Sequence, residues 1–166
     1  MAKQKQEKTN AMRILDQKKI SYTMRTYEEG EGPMGTSEYG LHVAQALGQD
    51  PTRVFKTLVA RGASKAIYVY EIPVAENLDL KKAAKAVGEK SIDLLKVSEI
   101  NGVTGYVRGG CTPIGMKKQF PTVFHRSVLD GETVCISGGK IGVQLEVAVT
   151  PLLNLLRADT AEITVE

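Results

Sequence analysis

From Gly105 onward, short β-rich runs follow one another across glycine-marked turns: Gly105-Tyr106-Val107, Thr122 to His125, Thr133 to Ile136 and Val143 to Val149. The gaps between the last three are shorter than the roughly twelve residues that a helical crossover between parallel strands needs. Strands that follow one another without a helical crossover make the sheet mixed or largely antiparallel rather than purely parallel. Further upstream, Val54 to Val59 and Ala66 to Ile72 flank Arg61-Gly62-Ala63-Ser64-Lys65 and predict a hairpin of central strands.

Helical signals lie between these runs. Ala11, Ile14, Leu15 and Lys18 predict a short amphipathic helix with Asn10 as its cap. Ser21 to Tyr27 reads as a strand with Tyr22 and Met24 inward, followed by an acidic loop from Glu28 to Pro33. Thr36 or Ser37 caps a helix through Leu41, Ala44 and Leu47 that Gly48 ends, and Asp50-Pro51 cues a helical turn. Asp79 opens a helix with Leu80, Ala83, Ala84 and Val87 on one face, Lys81, Lys82 and Lys85 on the other, and Gly88 at its end. A shorter helix is expected around Ile92 to Ile100, and Thr150-Pro151 starts another through Leu156.

Interleaved helices with a mixed or largely antiparallel sheet define an α+β chain. At 166 residues it has the size of one domain. Residues 1–9 read as a flexible tail and 10–166 as the domain. No stretch reaches the roughly 18 apolar residues of a membrane span, and Met1 to Lys8 lack a signal-peptide apolar region. The cytoplasm is the expected compartment. Cys111 and Cys135 are the two cysteines, too few for a disulfide scaffold or a four-cysteine zinc site. The net charge of +3 does not demand an extended nucleic-acid surface, and DNA is not an expected partner.

Two features point to chemistry. Lys56 sits in Val54-Phe55-Lys56-Thr57-Leu58-Val59, on the strand face shared by Val54 and Leu58. A lysine there either snorkels to solvent from an edge or acts in a cleft, where desolvation lowers its pKa. Two glycine-rich loops follow strands: Arg108-Gly109-Gly110-Cys111-Thr112-Pro113-Ile114-Gly115 and Ser137-Gly138-Gly139-Lys140-Ile141-Gly142. Each is either a tight turn or a loop whose peptide N–H groups face an oxygen of a ligand. Neither has the lysine and hydroxyl spacing of a nucleotide-hydrolysing phosphate loop, and no Gly-x-Ser-x-Gly or His-Glu-x-x-His motif is present. His42 and His125 read as structural. Cys111 fits a turn better than a nucleophile, and Cys135 reads as core.

Taken in order, Thr26-Tyr27-Glu28, Val54 to Leu58, Leu78 to Lys85, Gly105 to Gly115, Lys117-Lys118 and Ser137 to Lys140 resemble the YbaK/EbsC-type Cys-tRNA deacylases, relatives of the editing domain of bacterial prolyl-tRNA synthetase. The resemblance runs from about Ile14 to Leu156. It implies a curved mixed β-sheet, partly open and barrel-like, flanked by helices, with the aminoacylated 3′ end of tRNA entering beside the strand that bears the family lysine. Lys56 matches that lysine, and Gly109 and Gly110 match the loop whose N–H groups meet the ester carbonyl. Tyr27, Thr112, Pro113, Ser137, Gly138 and Gly139 match substrate-binding positions.

The resemblance further implies a substrate-assisted reaction in which the thiol of the esterified cysteine attacks its own carbonyl, so no cofactor or metal is expected. The expected activity is removal of cysteine from Cys-tRNA(Pro), and from Cys-tRNA(Cys), in trans. The competing readings are a deacylase for another small residue, such as alanine on tRNA(Pro), and a non-catalytic module binding tRNA or a synthetase. Lys81, Lys82, Lys85, Lys117, Lys118 and Lys140 are the candidates for weak acceptor-stem contacts. With no tryptophan and 5% aromatic residues, base stacking cannot dominate affinity. A prolyl-tRNA synthetase is the partner expected to supply tRNA selectivity.

Overall fold

The computed structural model describes residues 8–27 and 37–166, except for the side chains of 37–40. The bulk of the expected tail, the acidic loop from Glu28 to Pro33 and Thr36 lie outside the described residues, as does the side chain of Ser37 on which the alternative cap rests. Two sheets carry the fold. In the first, β1 (Tyr22–Thr26), β7 (Val143–Ala148) and β6 (Thr133–Ser137) are antiparallel in the order β1-β7-β6. In the second, β4 (Ile92–Leu94), β2 (Phe55–Gly62), β3 (Ile67–Pro73), β5 (Thr122–His125) and β8 (Asp159–Ala161) lie in the order β4-β2-β3-β5-β8. The β4-β2-β3 part is antiparallel, whereas β3-β5 and β5-β8 are parallel. A parallel bridge between Val54 and Cys135 joins the two sheets, which do not close into a barrel.

The first core lies between the three-stranded sheet and helices α1 (Asn10–Gln17) and α5 (Val149–Leu156), where Ala11, Leu15, Ile136, Leu145 and Leu152 are buried together. Two further helices lie between β1 and β4: α2 (Ser37–Ala46) and α3 (Leu80–Val87). α3 packs Ala83 and Ala84 against Ala60 and Tyr70 of the second sheet, and the Tyr70 hydroxyl donates to the Ala83 carbonyl at 2.9 Å. The Asp79 carboxylate accepts from the Lys82 N–H, and Gly88 closes the helix at φ 73°. Gly48 likewise follows α2 at φ 64°, and Asp50 caps the turn at Pro51–Arg53.

Several local expectations differ from the structure. Thr9, not Asn10, caps α1 by accepting the Met12 N–H at 3.3 Å, because the Asn10 amide is engaged by the Gly115 carbonyl at 3.1 Å. Met24 is exposed while Arg25 is half-buried, drawn inward by an ion pair with Glu146 at 2.6 Å. The helix expected around Ile92 to Ile100 is instead strand β4, paired to Gly62 through Ile92, and then α4 (Val97–Thr104). Gly105-Tyr106-Val107 is not a strand. Gly105 ends α4 at φ 88°, and Tyr106 is buried by a 2.6 Å hydrogen bond from its hydroxyl to the Ile114 carbonyl.

Arg53 fixes the start of β2 from the side. Its guanidinium donates to the carbonyls of Ser127 at 2.7 Å, Val128 at 2.9 Å and Thr133 at 2.7 Å. These carbonyls belong to the chain entering β6, so one side chain ties both sheets beside the Val54–Cys135 bridge. Charge-assisted hydrogen bonds to carbonyls contribute about 1.5–3 kcal/mol each when removal strands the partner. Arg53→Met is expected to lower unfolding free energy by about 3 kcal/mol, read as the shift in urea midpoint at constant slope.

Candidate active site

The seam between the sheets makes the cleft. The outer edge of β2 meets β6 at Val54 and meets the β4 segment through the 2.9 Å bond from the Leu95 N–H to the Val59 carbonyl. Among the described residues, no strand pairs with Phe55–Leu58 along that edge. By strand alternation, the peptide groups of Phe55 and Thr57 point the same way as the Val59 carbonyl, toward the seam. A cavity of about 220 Å³ opens there, bordered by every residue from Val54 to Val59. Contributions from both faces of one strand mean that the edge, rather than a face, forms its wall.

The polar residues of the wall come from separate elements. Lys56 and Thr57 lie on β2, Tyr27 follows β1, Ser137 ends β6, Gln144 lies on β7, and Arg108 and Gly109 open the first glycine loop. Val43, Leu95 and Ile100 are among the apolar residues facing them. Lys56 is partly buried, and burial holds its ammonium below the ordinary lysine range, with the Glu76 charge acting weakly in the opposite sense. Tyr27 is held by its N–H, which donates to the Gly142 carbonyl at 2.9 Å.

The two glycine loops pack on each other. A Cβ at Gly110 would stand 2.9 Å from the Ile141 nitrogen and 3.0 Å from the Lys140 carbonyl carbon. Gly139, at φ 94°, lies against Tyr106 and Thr112. Of the expected site residues, Tyr27, Lys56, Gly109 and Ser137 border the cavity. Gly110, Thr112, Pro113, Gly138 and Gly139 do not; they form the interlocked loops behind it. The Ser137 hydroxyl accepts the Gly139 N–H at 3.3 Å, which links the wall to that loop.

Arg108, Thr57 and Gln144 are site residues that the sequence did not single out. Arg108 carried a signal, a cation directly before a glycine pair. Gln144 carried none, because its double amide pairing to Gln49, at 2.6 and 2.9 Å, joins residues 95 apart in the chain.

Cys111 borders the cavity, but burial pushes its thiol up to about 12, so it is protonated at neutral pH and a poor nucleophile. Cys111→Ala is expected to keep the single-turnover rate within about threefold of wild type, and iodoacetamide is expected to leave the native rate unchanged. His125 lies outside this cavity. Its Nδ1 accepts the Ser127 N–H at 3.2 Å and its Nε2 meets Glu162 at 3.1 Å, a local cap for the turn at Arg126–Asp130. Among the described residues, no group of three or more His, Cys, Asp or Glu side chains is placed to hold a metal.

The aminoacyl-tRNA editing domain model matches residues 40–155, a span that contains the β2 edge, both glycine loops and β7. The chain belongs to the aminoacyl-tRNA editing domain family. A relative from Enterococcus faecalis, named as a candidate Cys-tRNA(Pro)/Cys-tRNA(Cys) deacylase, EbsC, is 42% identical over 99% of this chain and 98% of its own length. Two solved structures share the fold. One, described as a candidate trans-editing enzyme for prolyl-tRNA synthetase, has a TM-score of 0.77 and 23% identity, covering 97% of this chain and 100% of the other. The second, described only as a hypothetical protein, has a TM-score of 0.82 and 20% identity, covering 95% and 100%.

The six lysines expected to contact tRNA fall into two groups in this editing domain. Lys140 lies against Gly110, and the exposed pair Lys117 and Lys118 follows the first glycine loop, with Lys117 Nζ donating to the Gly102 carbonyl at 3.1 Å. Lys81 and Lys85 are exposed on α3, whereas Lys82 is engaged by the Thr164 carbonyl at 3.0 Å. No described helix is long and apolar enough to cross a membrane.

Proposed function

We propose that this editing domain acts in trans as an aminoacyl-tRNA deacylase that removes cysteine from mischarged Cys-tRNA(Pro), and also from Cys-tRNA(Cys). The observation that carries this reading is a cleft with cations and peptide donors but no activated nucleophile of its own. Cys111 is a protonated thiol there, and His125 lies outside the cavity, engaged by Ser127 and Glu162. A substrate that brings its own nucleophile needs only positioning and stabilisation of the developing oxyanion.

In the proposed reaction the substrate thiol sulfur attacks the carbonyl carbon of its own ester. The sulfur–carbon bond forms, the ester carbon–oxygen bond breaks, and the thiol proton ends on the ribose hydroxyl that leaves, giving a cyclic thiolactone and free tRNA. Lys56 orients the ester and offsets the developing negative charge, and Gly109, which borders the cavity, offers its peptide N–H to the carbonyl oxygen, whereas the Gly110 N–H is taken by the Val107 carbonyl at 2.9 Å. Tyr27 and Ser137 bound the aminoacyl group, and Thr112, Pro113, Gly138 and Gly139 hold the loops in register. The cavity of about 220 Å³ suits a small aminoacyl group at a tRNA 3′ end.

Lys118 and Lys140 stand nearest the loops and take the acceptor end, with Lys81 and Lys85 further along; Lys117 and Lys82 contribute less, being engaged by the Gly102 and Thr164 carbonyls. Such contacts are weak and salt-sensitive, so a prolyl-tRNA synthetase in the cytoplasm supplies the tRNA selectivity. The test is release of labelled cysteine from Cys-tRNA(Pro), from the same tRNA carrying S-methylcysteine, and from Ala-tRNA(Pro). The expected result is release from the first alone. Equal release of alanine would shift the assignment to a water-dependent deacylase, and no release from any of the three would favour a binding module.

A further inference from the structure

One group behind the cleft is unexplained by folding. Glu71 of β3 is fully buried, and neither of its carboxyl oxygens has a hydrogen-bond partner among the described residues. It stands in a row across three strands, opposite Thr57 of β2 and Phe124 of β5. Register partners share a face, so the Glu71 carboxyl and the Thr57 hydroxyl lie on the same side of the sheet. Thr57 borders the cavity, and its hydroxyl, like the carboxyl, is buried outside strict hydrogen-bond geometry, yet it stands near enough to Glu71 for side-chain hydrogen bonding that lowers the carboxyl pKa against the larger effect of burial. Cys111, also bordering the cavity, feels the same carboxyl.

We propose that Glu71 is a positioning residue of this site: across the β2–β3 pair its carboxyl holds the Thr57 hydroxyl so that Thr57 donates its own proton to the aminoacyl ester in the cleft. The inference rests on the deacylase reading of that cleft. Burial raises the Glu71 carboxyl well above the usual carboxylate range, which favours its protonated form, and a protonated carboxyl donates to the Thr57 oxygen. A hydroxyl that accepts from Glu71 keeps its own O–H for a substrate oxygen. An ionised carboxylate would do the reverse, capturing the Thr57 proton and leaving only an acceptor toward the cleft. Stability does not account for the glutamate, since burying a carboxyl costs desolvation that an apolar side chain in its place would not.

Single-turnover deacylation of Cys-tRNA(Pro) is measured for wild type, Glu71→Gln, Glu71→Leu, Glu71→Val, Thr57→Val and the double variant Glu71→Leu/Thr57→Val, together with melting temperatures. Glu71→Leu and Glu71→Val are expected to slow the chemical step roughly ten- to hundredfold, with half-saturation unchanged and melting temperature equal or higher. Glu71→Gln keeps a neutral donor in the same place and is expected to recover most of the rate. The double variant is expected to be no slower than Thr57→Val alone. Two apolar replacements are included so that a packing fault in one does not decide the outcome. Wild-type rates in both, or rate losses that multiply in the double variant, would overturn the inference while the deacylase reading stands. An inactive wild-type protein would instead overturn that reading, and this inference with it.

Discussion

Lys56→Ala is expected to slow release of cysteine from Cys-tRNA(Pro) by roughly a hundred- to a thousandfold, the size of the loss when one preorganised charge-stabilising group is removed from an acyl-transfer site. Lys56 is partly buried on the edge of β2 that borders the cleft, where its charge is little screened by water and costs desolvation to hold. The same desolvation means that folding gains nothing from that charge, so the melting temperature is expected to stay level or rise. A rate collapse at unchanged stability separates a group acting on substrate from one supporting the sheet. Lys56→Met retains the aliphatic stem and is expected to be as slow as Lys56→Ala, while Lys56→Arg restores the charge in a wider planar head and recovers only part of the rate. Because burial lowers the Lys56 pKa, its ammonium is lost at a lower pH than that of an exposed lysine. Activity that depends on the ammonium therefore declines on the alkaline side earlier than an ordinary lysine would predict, and a rate–pH profile of the wild-type protein reads this directly.

Gly110→Ala is the second large effect, and it comes from backbone contact. The added methyl would lie 2.9 Å from the Ile141 nitrogen, 3.0 Å from the Lys140 carbonyl carbon and 3.2 Å from the Lys140 Cα, all main-chain atoms with no rotamer to yield. The loops must separate, and Gly109, which borders the cavity, moves with them. A misplacement of about 1 Å at a positioned peptide N–H costs on the order of a hundredfold in rate, and the overpacking costs about 1–3 kcal/mol in stability. Gly102→Ala is the matched control. Gly102 is helical, would have nothing within 4 Å of its new methyl and has no left-handed backbone, so the change is expected to leave the rate intact and to raise stability by up to about 1 kcal/mol. Calorimetry and single-turnover rates on the two variants check both halves of the expectation.

Expectations set by local chemistry survive in the structure. The hairpin of β2 and β3, the Asp79 cap and Gly88 terminus of α3, the turn after Asp50 and the pairing of β6 with β7 all lie where side-chain alternation, capping oxygens and glycine predict them. Misreadings occur where a distant partner decides. Gly105-Tyr106-Val107 has strand composition, yet Tyr106 is committed to the Ile114 carbonyl. Met24 fits an inward position, yet Glu146 on the neighbouring strand pulls Arg25 in. Ile92 continues a helical-looking stretch, yet Gly62 offers it a sheet edge.

The sequence by itself determined the α+β class, the odd lysine on an apolar strand and the two glycine loops, because periodicity, conformational freedom and desolvation are properties of short segments. Only the tertiary structure decided that Lys56 and Thr57 border a seam between two sheets, that Gly110 serves the second loop while Gly109 serves the cavity, and that Arg108, Gln144 and the buried Glu71 belong with them. Each of those facts depends on a close approach between segments far apart in the chain: the Val54–Cys135 bridge, the contact of Gly110 with Ile141 and the facing of Thr57 by Glu71. Such approaches are selected by the joint packing of both sheets and their helices, and no local pattern of residues encodes them.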